Sequence, residues 1–90
     1  MKHPNTDQIE TIKAEIAAQL GHDPKNPPVH VDDKQAAQVL GAKTSTLSVW
    51  RSTGRYNLPF LKVGRLVRYR VSDLAIFLAR RTADHTGKPL

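Results

Sequence analysis

The stretch DDKQAAQVLGAKTSTLSVWR, Asp32 to Arg51, leaves this chain few folds to choose from. Asp32 followed three residues later by Gln35 is an N-terminal capping pair, in which each side chain can bond the backbone of the other residue. A helix should begin there. Ala36, Ala37 and Leu40 keep the spacing of one apolar helical face, and Gly41 offers the left-handed position that ends a helix without a Cβ penalty. Thr44 is expected to cap a second helix, with Leu47 and Trp50 one turn apart on its inner side and Gly54 at its end. Two short helices joined by a sharp turn are the expected result.

That arrangement is a helix-turn-helix, whose second helix can be presented to a DNA major groove. Helical hairpins with a glycine turn also occur as ordinary packing, so the residues that follow carry the decision. From Leu58 to Val71, LPFLKVGRLVRYRV alternates apolar and basic residues about Gly64 and is rich in β-favouring side chains. A β-hairpin with its tip at Gly64 is expected. Val67, Tyr69 and Val71 should face the helices while Arg68 and Arg70 face outward, which makes the hairpin a wing. Ser72 is then expected to cap a last helix, SDLAIFLARR, with Leu74, Phe77 and Leu78 inward and Arg80 and Arg81 where the helix dipole favours cations.

Before this unit, Ile9, Ile12, Ile16 and Leu20 lie at helical spacing between a cap at Asn5 or Thr6 and a stop at Gly21. The stripe can pack on its own domain or meet a second protomer or partner protein. HDPKNPPVH, His22 to His30, reads as an extended linker because its prolines remove backbone donors. The expected organisation is therefore α+β: an attached N-terminal helix and linker over 1–28, a winged helix-turn-helix over 29–81, and a flexible tail over 82–90.

Charge separates the two halves. From Met1 to Leu40 four cations face six carboxylates, whereas from Gly41 to Arg81 nine cations face only Asp73. The basic surplus begins where a phosphate-binding surface would need it. Seven of the nine are arginines, which grip phosphate or guanine with paired hydrogen bonds, although a solvated basic face is the plainer reading. Cysteine is absent, so neither disulfides nor thiolate metal sites staple the fold. The histidines His3, His22, His30 and His85 lack metal-site spacing, and no glycine-rich phosphate loop or paired catalytic carboxylate is present. Asp32 and Asp33 are both attributed to capping. No enzyme activity, metal or cofactor is expected, and with no apolar run long enough to cross a bilayer the expected location is cytoplasmic.

Residues Val31 to Leu78, about half of the chain, resemble the small winged helix-turn-helix domains of the phage excisionase family and its AlpA-like regulator relatives, themselves related to MerR-type domains. The resemblance rests on QAAQVLGA, TLSVWR, Gly54, LPFLKVGRLVRYR and SDLAIFL taken together. This chain has Asp32 and Gln35 where the family commonly has threonine and glutamate, and Lys43 where a serine cap is common. The resemblance implies non-catalytic, sequence-specific binding to duplex DNA. It implies either assistance to an integrase in excising a mobile element, as a recombination directionality factor, or regulation of a nearby promoter.

The expected contacts follow from the faces. Ser45, Ser48, Val49 and Ser52 lie opposite Leu47 and Trp50, where Val49 can meet a thymine methyl and the serines can reach base edges or phosphate. Lys43, Thr44 and Arg51 are expected as backbone clamps near the helix ends, and Arg55 as a further DNA-binding residue. Lys62, Arg65 and Arg68 surround the wing, with Arg65 at its tip directed to a minor groove. Trp50 is expected in the core, and Arg70 is either a contact or a solvated strand residue. Expected partners are double-stranded DNA, an integrase, and further copies of the chain assembling on tandem sites through the N-terminal helix. A protein-interaction module with an acidic partner is the alternative of a different class. An RNA platform is disfavoured because the hairpin lacks paired exposed aromatics.

Overall fold

Helix α1, Thr6–Gln19, begins where the Asn5 side chain accepts from the Gln8 amide at 2.7 Å, one of the two caps expected for it. It opens the computed structural model of the chain, which describes residues 5–84. Strand β1, His30–Asp32, follows the proline segment and leads into helix α2, Asp33–Leu40. Both halves of the expected capping box form: Asp32 Oδ1 accepts from the Gln35 amide at 2.7 Å, and Gln35 Oε1 accepts from the Asp32 amide at 3.0 Å. Gly41, with φ 66°, ends α2 in the left-handed conformation that favours glycine.

Helix α3, Thr44–Thr53, starts one residue earlier than expected. Lys43, extended at ψ 153°, occupies the cap position and its side chain makes no capping hydrogen bond. Thr44 is therefore the first helical residue and not the cap. After a tight turn at Arg55–Asn57, strands β2, Leu61–Val63, and β3, Leu66–Arg70, form the hairpin, and helix α4 spans Val71–Asp84. Ser72 lies inside the first turn of α4, so it is not the cap either. The helix continues past Arg81, so residues 82–84 of the expected tail are helical, while 85–90 lie outside the described residues.

Among the described residues, four α-helices pack with one three-stranded antiparallel sheet of order β1-β3-β2. The α+β class holds. Strand β1 is a departure from expectation, because His30 was assigned to the linker. It forms because Val31 pairs with Tyr69 and both bury their side chains, while the Val29 carbonyl accepts from the Val71 amide at 2.9 Å. The core gathers Ile16, Val31, Leu47, Tyr69, Val71 and Leu74, with Ala36, Ala37 and Ala75 allowing close approach of the helices.

Helix α1 belongs to this core. Ile16 is 2 % exposed, Ile9, Ile12 and Leu20 pack against the same cluster, and α1 lies along α4. The Gln19 side chain also donates to the Gln38 carbonyl at 3.2 Å, joining the end of α1 to α2. The break expected at residue 28 thus separates no independent core. The isoleucine stripe packs on its own domain, the first of the two placements expected for it, with Ile16 buried and Ile9, Ile12 and Leu20 half-buried.

Ile16→Ala should lower stability by about 2–5 kcal/mol through lost burial and the cavity left behind. Deletion of residues 1–27 should abolish the cooperative thermal transition seen by circular dichroism. A truncated chain that melts cooperatively at the parent midpoint would show α1 to be dispensable.

Candidate nucleic-acid interface

The orientation of α3 is set by what it buries. Leu47 is fully buried, and the Trp50 ring packs 4.9 Å from Tyr56 and 6.1 Å from Phe77 between ring centroids, so both expected inward residues face in. Turning these inward leaves Ser45, Ser48, Val49 and Ser52 exposed on the other side. Val49 is 56 % exposed, a β-branched side chain with little to gain from water. The Ser52 hydroxyl donates to the Val49 carbonyl at 3.1 Å, and Thr53 donates to the same oxygen at 2.8 Å. Lys43 and Thr44 are exposed at the start of the helix.

The hairpin turns through two residues, Gly64 and Arg65. Gly64 has φ 59°, and a positive φ at the first loop position is the requirement of a type II′ hairpin turn. The register pairs Lys62 with Val67, Leu61 with Arg68, and Val63 with Leu66. Directly paired residues share a face, so Lys62 lies on the side of Val67 and Tyr69 while Arg68 lies on the other. Arg68 and Lys62 are therefore not part of one cationic face. Arg68 shares its face with Leu61, Val63 and Leu66, of which Val63 is 71 % and Leu66 55 % exposed. The outward side expected to be cationic is thus mixed, and its guanidinium donates back to the Val67 carbonyl at 3.0 Å.

Ser48, Arg51 and Ser52 of α3 face Phe60, Lys62, Gly64, Arg65 and Val67 across one open groove. No carboxylate lines it. The groove joins five of the residues singled out in the sequence: Ser48, Arg51, Ser52, Lys62 and Arg65. Ser45 and Val49 share the exposed side of α3, whereas Arg55 lines an adjoining cleft and holds its guanidinium 5.1 Å from the Tyr56 ring centre. Phe60 was not anticipated; its place after Pro59, just before the hairpin strand, was the available signal.

Arg51, expected as a backbone clamp, is engaged within the protein. One of its terminal nitrogens, Nη1, donates to Asp33 Oδ1 at 2.7 Å and to the Tyr69 hydroxyl at 2.8 Å. Burial alone would lower the guanidinium pKa, but the hydrogen bonds to Tyr69 and Asp33 outweigh it and hold the pKa above its ordinary value. Arg51 thereby links α3 to the first residue of α2 and to the core of β3. Asp33, attributed to capping with Asp32, is the carboxylate of this link. Arg70 is likewise paired, with Asp73 at 3.0 Å.

Comparison with known protein families, with curated proteins and with solved structures gives no match. Among the described residues, no cluster of three His, Cys, Asp or Glu is placed to hold a metal ion, and no helix is long and apolar enough to cross a membrane.

Arg51→Met should cost about 1.5–3 kcal/mol, the range for hydrogen bonds to a charged group. In a double-mutant cycle with Asp33→Asn, followed by urea denaturation, the two substitutions should couple by about 0.5–3 kcal/mol. Strict additivity would mean that the two side chains do not hold one another in solution.

Proposed function

We propose that the chain is a winged helix-turn-helix protein that binds duplex DNA sequence-specifically, with α3 in the major groove and the β2–β3 hairpin as the wing. One observation carries this reading: Ser48 and Ser52 of the exposed side of α3 and Lys62 and Arg65 of the hairpin border a single groove that no carboxylate lines. Phosphate would meet Lys62 and Arg65 there without an opposing charge. Lys43 and Arg55 stand at the two ends of α3, where backbone clamps belong. The amino end of α3, whose cap side chain takes no hydrogen bond, adds a favourable dipole.

Base reading falls to Ser45, Ser48, Val49 and Ser52. Val49 supplies the apolar contact suited to a thymine methyl, and the serine hydroxyls supply donors and acceptors for base edges. Arg51 acts by holding α3 against the hairpin sheet, and Arg68 lies on the far side of the wing. The resemblance to excisionases supports a role as a recombination directionality factor that works with an integrase. Promoter regulation by the same contacts is the other reading the resemblance supports. An integrase gene beside this one, together with excision that depends on the protein, favours the first.

If Lys43, Arg55, Lys62 and Arg65 neutralise phosphates, log K should fall with log salt at a slope of about −3 to −4. Fluorescence anisotropy on a selected duplex measures it. Lys62→Ala should reduce that slope by about one, and Val49→Ala should leave it unchanged while relaxing discrimination at a thymine by about 1–3 kcal/mol. A salt-independent affinity would overturn the phosphate assignment, and identical behaviour of the two variants would overturn the division of roles.

A further inference from the structure

Two adjacent non-glycine residues, Tyr56 and Asn57, hold left-handed backbone at φ 65° and φ 51°. Asparagine tolerates this conformation, whereas for a tyrosine it costs on the order of 1–3 kcal/mol, and residues held so cluster at functional sites. Here they place the Tyr56 ring at the surface, 46 % exposed, edge-on to Trp50 and to Phe77. Beside that ring, between the turn and α4, lies a cleft of about 240 Å³. Tyr56, Pro59, Ile76 and Phe77 supply its apolar lining, and Asn57, Asp73, Arg80 and Arg81 supply a polar lining of similar extent. Arg81 is fixed flat against the floor, its guanidinium carbon 3.5 Å from the Phe77 ring centre and 5.1 Å from that of Tyr56.

The chemistry of this cleft differs from that of the groove beside α3, and the two share no lining residue. Its volume lies below the roughly 300 Å³ at which small-molecule sites begin, and suits one inserted side chain. Aromatic rings and arginines around a small cleft of mixed polarity are the composition of interface anchor points. Neither Arg80 nor Arg81 belongs to an ion pair among the described residues, whereas the carboxylate at the border, Asp73, is held by Arg70 at 3.0 Å. The unbalanced charge of the cleft is therefore positive.

We infer that this cleft docks a short acidic peptide segment of a partner protein, with one apolar side chain seated between Tyr56 and Ile76 and its flanking carboxylates on Arg80 and Arg81. The surface is separate from the proposed DNA groove, so peptide and duplex can be held at once.

The test is selection of random heptapeptides displayed on phage against the intact protein, with sheared duplex DNA in excess to occupy basic surfaces. The expected outcome is a consensus of Asp and Glu around one Leu, Met or Phe. Synthetic peptides of that consensus should alter Trp50 fluorescence, and Arg80→Glu should weaken them by about tenfold, the effect of losing one charge-assisted contact. Ile76→Lys should weaken them as well. Circular dichroism of Arg80→Glu, altered only at an exposed side chain, should match the parent and so separate lost docking from lost fold. Absence of an acidic and apolar consensus, or undiminished peptide affinity in Arg80→Glu, overturns the proposal. So does a short oligo-dT strand that displaces the peptide and itself depends on Tyr56, which would make the cleft a single-strand stacking surface.

Discussion

The Arg51 guanidinium is the point at which three elements of this fold are held together. A single nitrogen donates to Asp33 at the start of α2 and to the hydroxyl of Tyr69, whose ring lies in the core under β3. Burying a guanidinium is costly unless its hydrogen bonds are met, and here both partners are themselves fixed, one by the start of a capped helix and the other by the core. The link joins α3 to the sheet that carries the hairpin, and these are the two walls of the groove. Arginine suits the position because one terminal nitrogen carries two N–H donors fixed in the guanidinium plane and the group stays charged at any working pH, whereas a lysine ammonium would be a less directional donor.

What was legible in the sequence was local. The capping box at Asp32 and Gln35, the helix ends at Gly41 and Gly54, the hairpin turn at Gly64 and the inward Leu47 and Trp50 each follow from chemistry within a few residues. The two misplaced caps show where local chemistry stops deciding. Thr44 and Ser72 are reasonable cap residues, but a helix begins where the backbone leaves the extended region, and that point was set elsewhere: Lys43 is extended before α3, and the pairing of β3 delivers Val71 directly into α4. Longer-range relations carried no sequence signal. The partnership of Asp33 with Arg51, the short strand β1 and the left-handed turn at Tyr56 and Asn57 depend on what lies opposite once the chain is folded.

The N-terminal segment illustrates how a correct local reading can mislead about organisation. The prolines between His22 and Val29 do interrupt helix, yet α1 returns to lie along α4 and contributes Ile16 to the core. A proline-rich connection is stiffer than a glycine-rich one and loses less conformational freedom on folding, so it can join two packed elements at low entropic cost. In a domain of this size the surface that α1 covers matters to the stability of the whole, because small domains bury a smaller fraction of their chain than large ones.

The same reasoning sorts the cations that give this chain its basic character. Arg51 and Arg70 are paired with carboxylates, Arg81 is stacked on Phe77, and Arg68 lies across the sheet from Lys62. The formal surplus after Gly41 therefore overstates the charge that one face can present to a polyanion. Lys62 and Arg65 remain at the groove, with Lys43 and Arg55 near the ends of α3. With Arg80 and Arg81 placed at a separate cleft, the few cations beside α3 and the groove give limited non-specific attraction on the proposed reading, since that term grows with each phosphate neutralised. On the proposed reading, discrimination must then come from the small exposed face of α3, where Val49 and the serines can distinguish bases that the cations cannot.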